Sequence, residues 1–363
     1  MTRQQRSTDK DAHVFRSQSD TVKLSTDRLD AYLASIGMPR DVSEPILQFG
    51  TGLANVNYRL KSGDRWLVLR RPPDGDLPPG AHDMAREHRI LSRLWQALPL
   101  APRSFHLCED RAVIGVPFQL IAYHPGLVLK GDDQRPFAGK PEVAAQTGRM
   151  LVETLIAVHR VDVAAVGLEA LGRPEGFLKR AIKGWRGRGE RLDLSDAASG
   201  LIREIGDWLD AQSFCARAPT LLHSDFKLDN LILDPDTLSP VAIVDWDMGT
   251  RGDPLFDLAT MLSYWTEPGD PPCMHEMRQM PTAAPGFQCR AEIVETYGRL
   301  MGIDVSDFRA VRVIAIYKLA VVLLQLNALW RRGAAKGDDY KDLDRIACEL
   351  LAFAKDISAG RAG

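Results

Sequence analysis

The sequence predicts an α+β protein with two lobes: a small N-terminal lobe built on an antiparallel sheet and a larger, mainly helical C-terminal lobe. Strand-like runs are concentrated in the first third of the chain, and helical periodicity dominates after it. The segment Tyr123-His124-Pro125-Gly126 separates the two patterns and is typical of a joint. We therefore expect a disordered tail at 1–20, a first lobe at 21–123 and a second lobe at 124–363.

The first lobe alternates helical and extended segments. Helices are predicted at 26–37 and 82–95, where apolar residues recur every three or four positions. Runs of β-branched and aromatic residues between Gly-containing turns predict strands at Ile46–Phe49, Val56–Leu60, Trp66–Leu69, 104–108 and 117–123. The short turns between these strands favour antiparallel pairing.

The second lobe is predicted to be helical apart from one hairpin. Helices are expected at 142–160, 197–212, 254–265, 289–301, 306–331 and 339–356. Two short strand-like runs, 231–233 and 241–244, flank a turn at Asp234-Pro235-Asp236. The most apolar run, Leu319–Leu324, is short and lies among charged residues, so we expect a buried core helix and no membrane span.

Composition narrows the class of protein. The chain has 363 residues, 45% hydrophobic and 26% charged, with a net charge of −2. This is ordinary for a soluble protein with two cores, and it provides no basic surface for nucleic acid. The five cysteines form no CxxC pair, and the polar first twenty residues contain no secretory signal. We expect reduced thiols and a cytoplasmic location.

One segment near the middle of the chain carries the strongest chemical signal. It reads His223-Ser224-Asp225-Phe226-Lys227-Leu228-Asp229-Asn230 and is followed by Ile243-Val244-Asp245-Trp246-Asp247. Phosphoryl transfer to an alcohol needs one Asp to orient the hydroxyl, and an Asn and a second Asp to hold Mg²⁺ on the nucleotide phosphates. An isolated Asp225 would be a turn residue, but the linked pattern favours a catalytic role.

Each residue of this segment has a candidate role. The carbonyl oxygen of Asn230 is a hard ligand that suits Mg²⁺, and Asp245 ends an apolar run where a carboxylate can bridge metal and phosphates. Lys227 is two residues after Asp225, so its cation can neutralise the transferring group; the alternative is an exposed surface lysine. Asp257 begins a later helix, and we expect it to hold the catalytic loop.

The first lobe offers residues for nucleotide binding. Gly50, Thr51, Gly52 and Asn55 lie between two predicted strands, where backbone N–H groups can approach phosphates. A hairpin turn would have the same composition. Arg70 at the end of a strand can reach the α/β-phosphates, and Glu87 on the following helix can pair with it.

This order of motifs resembles the protein-kinase-like superfamily, most closely the aminoglycoside phosphotransferase/choline kinase family, from about residue 25 onward. The resemblance implies a bilobal protein-kinase-like fold, ATP and Mg²⁺ as cofactors, Asp225 as the catalytic residue, and Asn230 and Asp245 as metal ligands. It also implies that the strand Phe118–Tyr123, including Tyr123, faces the adenine. The usual strand lysine is replaced by arginine, which leaves two candidates, Arg70 and Arg71.

The acceptor is predicted from two further features. Leu69-Arg70-Arg71-Pro72-Pro73 and Cys108-Glu109-Asp110 resemble a branch found fused to, or encoded beside, acyl-CoA dehydrogenases, which implies a hydroxyacyl-CoA substrate. The stretch Phe177–Leu192 is basic and contains an aromatic residue, as a phosphorylated, adenine-bearing partner requires. Its candidate acceptor residues are Arg180, Lys183, Trp185 and Arg186; the alternative is a solvated basic helix face.

Two other functions are compatible with the sequence. One is an aminoglycoside or other antibiotic kinase, and the second is a nucleotide-binding, pseudokinase-like regulatory module. The presence of Asp225, Asn230 and Asp245 argues against the module. The sequence does not decide between ATP and GTP, or between monomer and dimer.

Overall fold

The structure, a computed structural model, describes residues 15–17, 20–50, 55–73, 82–333 and 340–362. The chain divides into two compact units. The first extends to Gly126 and adds Val166–Leu168 and Val241–Gly249, while the second comprises the remainder. The division at Gly126 lies three residues from the predicted lobe boundary. It differs in two respects, because Val166–Leu168 and the segment Val241–Gly249, which contains Asp245, belong to the first unit and not to the helical one.

The first unit is built on an antiparallel sheet with strand order β1-β2-β3-β5-β4 in the described residues. This confirms the predicted fold class for the N-terminal part. The strands are β1 Leu47–Gln48, β2 Val56–Ser62, β3 Arg65–Arg71, β4 Ser104–Cys108 and β5 Phe118–Ala122, and the helices are α1 Thr26–Ser35, α2 Met84–Leu94 and α3 Arg111–Ile114.

Alternation along β3 separates a core face from a polar face. Leu67 and Leu69 are buried in a cluster with Leu29 and Leu33 of α1, so this side of the sheet forms the apolar core of the unit. Because successive side chains of a strand point to opposite faces, Arg70 lies on the other side. The position of one arginine therefore follows from the hydrophobic pattern of its neighbours.

The end of the N-terminal segment is ordered. Phe15 pairs with Phe49 in an antiparallel bridge, and the N–H of Arg16 donates to the carbonyl of Gln48 at 2.8 Å. At these positions the structure differs from the expected disordered tail, because an edge strand has backbone groups that a passing chain can satisfy. Residues 1–14 lie outside the described residues, and there the tail stays a prediction.

The second unit is mainly helical. Its helices are α4 Pro141–His159, α5 Phe177–Gly189, α6 Asp196–Asp210, α7 Pro254–Ser263, α8 Pro272–Glu276, α9 Arg290–Met301, α10 Phe308–Arg331 and α11 Leu343–Ser358. Strands β6 Thr220–Leu222 and β9 Thr250–Gly252 pair antiparallel. Two short strands occur where extended runs were predicted: β7 Leu231–Leu233 in the second unit, and β8 Pro240–Ile243, whose residues from Val241 onward belong to the first unit.

Helix α10 is the central helix of the second unit and packs against α11, α7, α5 and α6. It is long and apolar enough to cross a membrane by length and composition, but 61% of its most apolar window is buried inside the protein. Every residue from Val311 to Ala320 is buried. The helix is therefore a core helix, as the sequence predicted.

One glycine in the second unit tests the packing of the loop that precedes α9. Gly286 has φ +107°, and a Cβ there would lie 2.1 Å from the carbonyl oxygen of Pro141. We expect Gly286→Ala to lower the free energy of unfolding by at least ~2 kcal/mol, because it combines backbone strain with overlap against a helix terminus. Urea denaturation measures the change.

Gly269→Ala is the matched control, since a Cβ at Gly269 meets nothing within 4 Å. Its free energy of unfolding should change by less than ~0.5 kcal/mol. Equal effects of the two substitutions would contradict the packing described around Gly286.

Candidate active site

The loop after β6 carries the catalytic motif in the second unit. His223 and Ser224 are buried, and their backbone N–H groups donate to the carboxylate of Asp257 at 2.6 and 2.8 Å. Asp257 lies in the first turn of α7 and is fully buried. Two amides on one carboxylate fix the direction in which the chain enters the loop. Asp257 therefore holds the catalytic loop, as expected from the sequence.

The carboxylate of Asp225 is oriented by a residue that the sequence did not reveal. The hydroxyl of Tyr264 donates to Oδ1 of Asp225 at 2.7 Å, while Nδ2 of Asn230 lies 3.3 Å from Oδ2. Burial and the nearby Asp225 charge raise the pKa of Tyr264 well above its usual value, so the phenol remains a donor. The arrangement presents a fixed carboxylate, which is what a group that accepts a proton from an alcohol requires.

Lys227 lies on the same side of the loop as Asp225, as predicted. Its Nζ is 3.6 Å from Oδ2 of Asp225 and 3.5 Å from Oδ2 of Asp229, and it lies 5.0 Å from the centre of the Tyr264 ring. The surface-lysine alternative is wrong, because the side chain is only 16% exposed. The lysine therefore places positive charge beside the Asp225 carboxylate.

Behind Asp257 lies a buried polar network that connects three helices. Nδ1 of His159 is 2.5 Å from the Tyr297 hydroxyl, and Nε2 is 3.4 Å from Oδ2 of Asp257. His159 and Tyr297 belong to α4 and α9, and both are buried. The network gives the Asp257 carboxylate a partner on the side away from the loop, which limits its movement.

Asn230 fits the role of a metal ligand. Its Nδ2 donates to the carbonyl of Asp225 at 2.8 Å, which leaves Oδ1 as the side-chain atom that can bind a cation. In the described residues there is no group of three or more His, Cys, Asp or Glu side chains that would hold a metal without help. This is compatible with Mg²⁺ bound to a nucleotide, because phosphates and water then supply most of its ligands.

The first unit contains a buried charge cluster around Arg70. Nε of Arg70 donates to Oε2 of Glu87 at 2.7 Å, and Nη2 forms an ion pair with Asp245. Glu87 also accepts from Nε2 of Gln119 at 2.5 Å and from the N–H of Trp246 at 3.1 Å. The predicted pair between Arg70 and Glu87 is present, and it extends to Asp245.

Electrostatics in this cluster shift several pKa values. Burial alone lowers the pKa of Arg70, but the Asp245 and Glu87 carboxylates act more strongly together and raise it, so the guanidinium stays charged. Burial raises the pKa of Glu87 to about 7 although Arg70 opposes the shift. Burial and the Asp245 charge also raise the pKa of Asp247. The accumulated negative charge favours a cation beside Asp245.

The choice between the two adjacent arginines follows from the strand. Arg71 is 2% exposed and lies on the face of β3 that carries Leu67 and Leu69, away from Glu87. Arg70 forms ion pairs with Glu87 and Asp245 on the other face of the strand. Arg70 is therefore the candidate for contact with phosphates.

The predicted phosphate loop is described only at its ends. Gly50 is exposed directly after the bridge residue Phe49, whereas Thr51 and Gly52 lie outside the described residues. Asn55 is buried, and its Nδ2 donates to Oδ2 of Asp247 at 3.3 Å. The side chain of Asn55 thus positions a carboxylate, and the phosphate contact expected for its loop stays a prediction.

Tyr123 follows β5 and borders an aromatic group on the polar side of the sheet. Its backbone N–H donates to the carbonyl of Trp66 at 3.2 Å, and its ring centroid lies 6.1 Å from that of Phe49. The guanidinium of Arg59 lies 5.7 Å from the Tyr123 ring. This is compatible with the predicted position beside a purine, which itself stays a prediction.

The basic stretch forms α5, and most of its candidate acceptor residues are used within the second unit. Arg186 is bound by three carboxylates at 2.8 Å each, those of Glu190, Asp207 and Asp210. Arg180 donates to the backbone carbonyls of residues 173 and 175. The prediction that Arg180 and Arg186 face the acceptor is corrected, because local acceptors already occupy their guanidinium groups.

The other two candidates on α5 differ in exposure. Trp185 is 9% exposed, and the guanidinium of Arg188 lies 4.2 Å above its ring. Lys183 is exposed. Arg188, which was counted only as part of the basic stretch, is the residue of α5 whose charge acts on Lys318 of α10, next to the catalytic loop.

Comparison with known proteins agrees with the motifs. The model of the phosphotransferase enzyme family (APH) matches residues 45–293. The mouse protein called acyl-CoA dehydrogenase family member 10 is 30% identical over 84% of this chain, and human acyl-CoA dehydrogenase family member 11 is 27% identical over 78%. The chain spans only 28% and 36% of these two proteins.

Solved structures share the fold. A Ralstonia eutropha protein assigned to the aminoglycoside phosphotransferases superposes with a TM-score of 0.77 at 21% identity, covering 93% of this chain and 99% of that one. A choline/ethanolamine kinase family protein from Mesorhizobium loti gives 0.54 at 18% identity, covering 93% and 99%. A hygromycin B-bound aminoglycoside phosphotransferase, also carrying AMP-PNP, gives 0.61 at 16%, covering 93% and 100%. The protein-kinase-like fold is confirmed.

Tyr264→Phe tests the hydrogen bond to Asp225. The substitution keeps the ring and removes a donor to a charged acceptor, so we expect kcat for ATP turnover to fall by about 10-fold while the KM for ATP stays within ~3-fold. Tyr317→Phe is the control, because Tyr317 is also buried and donates at 3.1 Å, but to Ile202. Steady-state kinetics that showed equal losses in both variants would refute the orienting role.

The pKa of Glu87 predicts a pH effect on nucleotide binding. Burial raises this pKa to about 7, so lowering the pH through 7 protonates Glu87 and removes one of two carboxylates that hold Arg70. We expect ATP affinity, measured by calorimetry, to weaken by about 10-fold from pH 8 to pH 6 in the wild type. Glu87→Gln should be weak at both pH values; a pH dependence that survives this substitution belongs to another group.

Proposed function

The chain belongs to the phosphotransferase enzyme family and is a small-molecule kinase, and we propose that it transfers the γ-phosphoryl group of Mg²⁺-ATP to a hydroxyl of a hydroxyacyl-CoA. The Asp225 carboxylate, fixed by Tyr264 and Asn230, is the observation that carries the kinase chemistry. The acceptor is inferred from the names of the relatives, which are acyl-CoA dehydrogenase family members, and from the charges near that carboxylate.

The residues divide the work of a direct, in-line transfer. The acceptor hydroxyl gives its hydrogen to Asp225 as its oxygen bonds to the γ-phosphorus, and the bond from that phosphorus to the β–γ bridging oxygen breaks, which releases ADP. Lys227 stabilises negative charge on the transferring group, and Arg70 binds phosphate oxygens. Bound Mg²⁺ would neutralise the phosphates; Asn230 in the second unit has an oxygen donor that suits it, and the role of Asp245 as a ligand stays a prediction from the sequence.

The proposed acceptor class rests first on the relatives. The mouse and human proteins that match most of this chain are named for acyl-CoA dehydrogenases, and this chain corresponds to one part of each. When a kinase is covalently joined to such an enzyme, an acyl-CoA released by one is at a raised effective concentration near the other. The sequence similarity to these proteins therefore favours a hydroxyl on an acyl-CoA as the acceptor.

Charge near the catalytic carboxylate supports the same class. In the second unit the cations Lys227 and Lys318 lie close to Asp225, and Arg188 on α5 adds to them. These cations offset the charges of Asp225, Asp229 and Asp257, so the loop lacks the excess of negative charge that would favour a polycationic aminoglycoside, and a thioester with phosphates is the better match. This weighs against the antibiotic kinase, although solved neighbours of that class share the fold.

A direct substrate screen tests the proposal. The purified chain is incubated with Mg²⁺-ATP and, in separate reactions, with 3- and 4-hydroxyacyl-CoAs, the free hydroxy acids, and kanamycin and hygromycin B, and mass spectrometry detects the gain of a phosphate. We expect transfer to a hydroxyacyl-CoA and none to the antibiotics. Transfer to antibiotics alone would replace the proposed acceptor, and nucleotide binding with no transfer to any alcohol would favour the regulatory module.

Asp225→Asn should lower kcat by at least ~10²-fold with ATP affinity within ~3-fold, because it removes the proton acceptor and leaves the nucleotide contacts. Asp229→Asn is the matched control: it lies in the same loop and also near Lys227, at 3.5 Å. Its kcat should fall by less than ~3-fold. If the two substitutions reduce kcat equally, the effect is one of general loop charge and Asp225 loses its assigned role.

The cytoplasmic location stays a prediction.

A further inference from the structure

Helix α10 buries a lysine that the reaction described above does not use. Lys318 is 5% exposed in the middle of a helix whose residues from Val311 to Ala320 are all buried. Burying an ammonium group costs several kcal/mol unless partners compensate, and lysine is among the residues that are least often fully buried. A lysine in this position needs a reason other than packing, since leucine or methionine would fill the space without that cost.

The partner of Lys318 is the backbone of the catalytic loop. Its Nζ donates to the carbonyl oxygen of Ser224 at 2.6 Å and lies 5.3 Å from the centre of the Phe256 ring. The carbonyl of Ser224 and the N–H of Asp225 belong to one peptide group. Lys318 therefore holds the plane of the peptide from which the Asp225 side chain projects.

Ser224 is the point where the loop needs this support. Its φ of +70° lies in the left-handed region, which a non-glycine residue occupies at a cost of about 1 kcal/mol or more. Its N–H is bound by the Asp257 carboxylate and its carbonyl by the Lys318 ammonium. Two opposite charges thus hold the two polar groups of one strained residue.

The charge of Lys318 also acts on the reacting carboxylate. Burial, together with the cations Lys227 and Arg188, lowers the pKa of Lys318, while the Asp225 and Asp257 carboxylates oppose the shift and favour the protonated lysine. A protonated Lys318 therefore supplies positive charge behind the Asp225 carboxylate.

We propose that Lys318 is a positioning residue for phosphoryl transfer: its buried ammonium fixes the Ser224–Asp225 peptide and supplies positive charge behind the catalytic carboxylate. The proposal rests on the kinase activity and not on the identity of the acceptor. It requires the charge as well as the hydrogen bond, and this separates it from a role in folding alone.

Variants at position 318 test the two requirements. Lys318→Met should lower kcat for Mg²⁺-ATP turnover by about 10²-fold while the KM for ATP stays within ~3-fold, because nucleotide contacts are untouched. Lys318→Gln keeps a donor without charge and should remain near Lys318→Met. Lys318→Arg keeps the charge and should recover at least ~10-fold of the loss. Full recovery by Gln, or wild-type kcat in Met, overturns the proposal.

Arg312→Met is the matched control. Arg312 is 4% exposed on the same helix, but its guanidinium lies 5.5 Å from the Phe353 ring, and the charges that act on it are those of Arg290, Asp270 and Glu267. Removal of this buried cation should leave kcat within ~3-fold of the wild type. A loss of kcat equal to that of Lys318→Met would mean that any buried cation of α10 has the same effect, and the proposal would be overturned.

Hydrogen–deuterium exchange provides a readout that does not need turnover. Lys318→Met should accelerate amide exchange in the segment 221–230 by about 10-fold or more, and Arg312→Met should leave it unchanged. Unchanged exchange in Lys318→Met overturns the proposal even if the wild type proves inactive. Failure of the kinase assignment is separate, because it would show as wild-type protein that transfers phosphate to no acceptor.

Discussion

The Asp257 carboxylate is the contact on which the rest of the catalytic loop depends. It is fully buried, and it binds the N–H groups of His223 and Ser224 at the point where the chain leaves β6. In a low-dielectric interior, hydrogen bonds from two amide groups to one carboxylate are strong. Loss of either hydrogen bond would lower the stability of the folded protein. His159 of α4 approaches the same carboxylate. The position of the loop is therefore fixed by contacts with two helices, α4 and α7.

Much of this organisation could be predicted from the sequence because the informative residues are close together in the chain. Asp225, Lys227 and Asn230 are within six positions, and their spacing alone places them in one loop. The Arg70–Glu87 pair was predicted from the order of strand and helix, and the hydrophobic alternation of β3 then separates Arg70 from Arg71. The sequence analysis had left both arginines open, although the alternation that distinguishes them is present in the sequence.

The residues that sequence reasoning missed act over long separations. Tyr264 reaches Asp225 across 39 positions, and Lys318 reaches Ser224 across 94. Tyr264 directly follows α7 and Lys318 lies inside α10, and neither belongs to a motif whose spacing would reveal its role. The error at Arg186 has the same origin: its acidic partners Asp207 and Asp210 are on the next helix, so a stretch that is basic in sequence is largely neutralised in three dimensions. The signal that would have led to Lys318 is a lysine inside the apolar run 313–324, since lysine is seldom buried.

Each unit contains a buried cation whose charge is favoured by carboxylates of the same unit. The first buries Arg70 against Glu87 and Asp245, and the second buries Lys318 where the Asp225 and Asp257 carboxylates favour its charge. Apolar residues would stabilise either interior at least as well, since desolvation offsets most of the attraction in buried ion pairs. What such pairs provide is a fixed direction for charge before the substrate arrives, and preorganised charge is the main means by which enzymes stabilise phosphoryl transfer. The desolvation of these charges lowers the stability of the fold, and this loss is a consequence of the chemistry. In both units, packing of the charged side chains against large apolar elements offsets it.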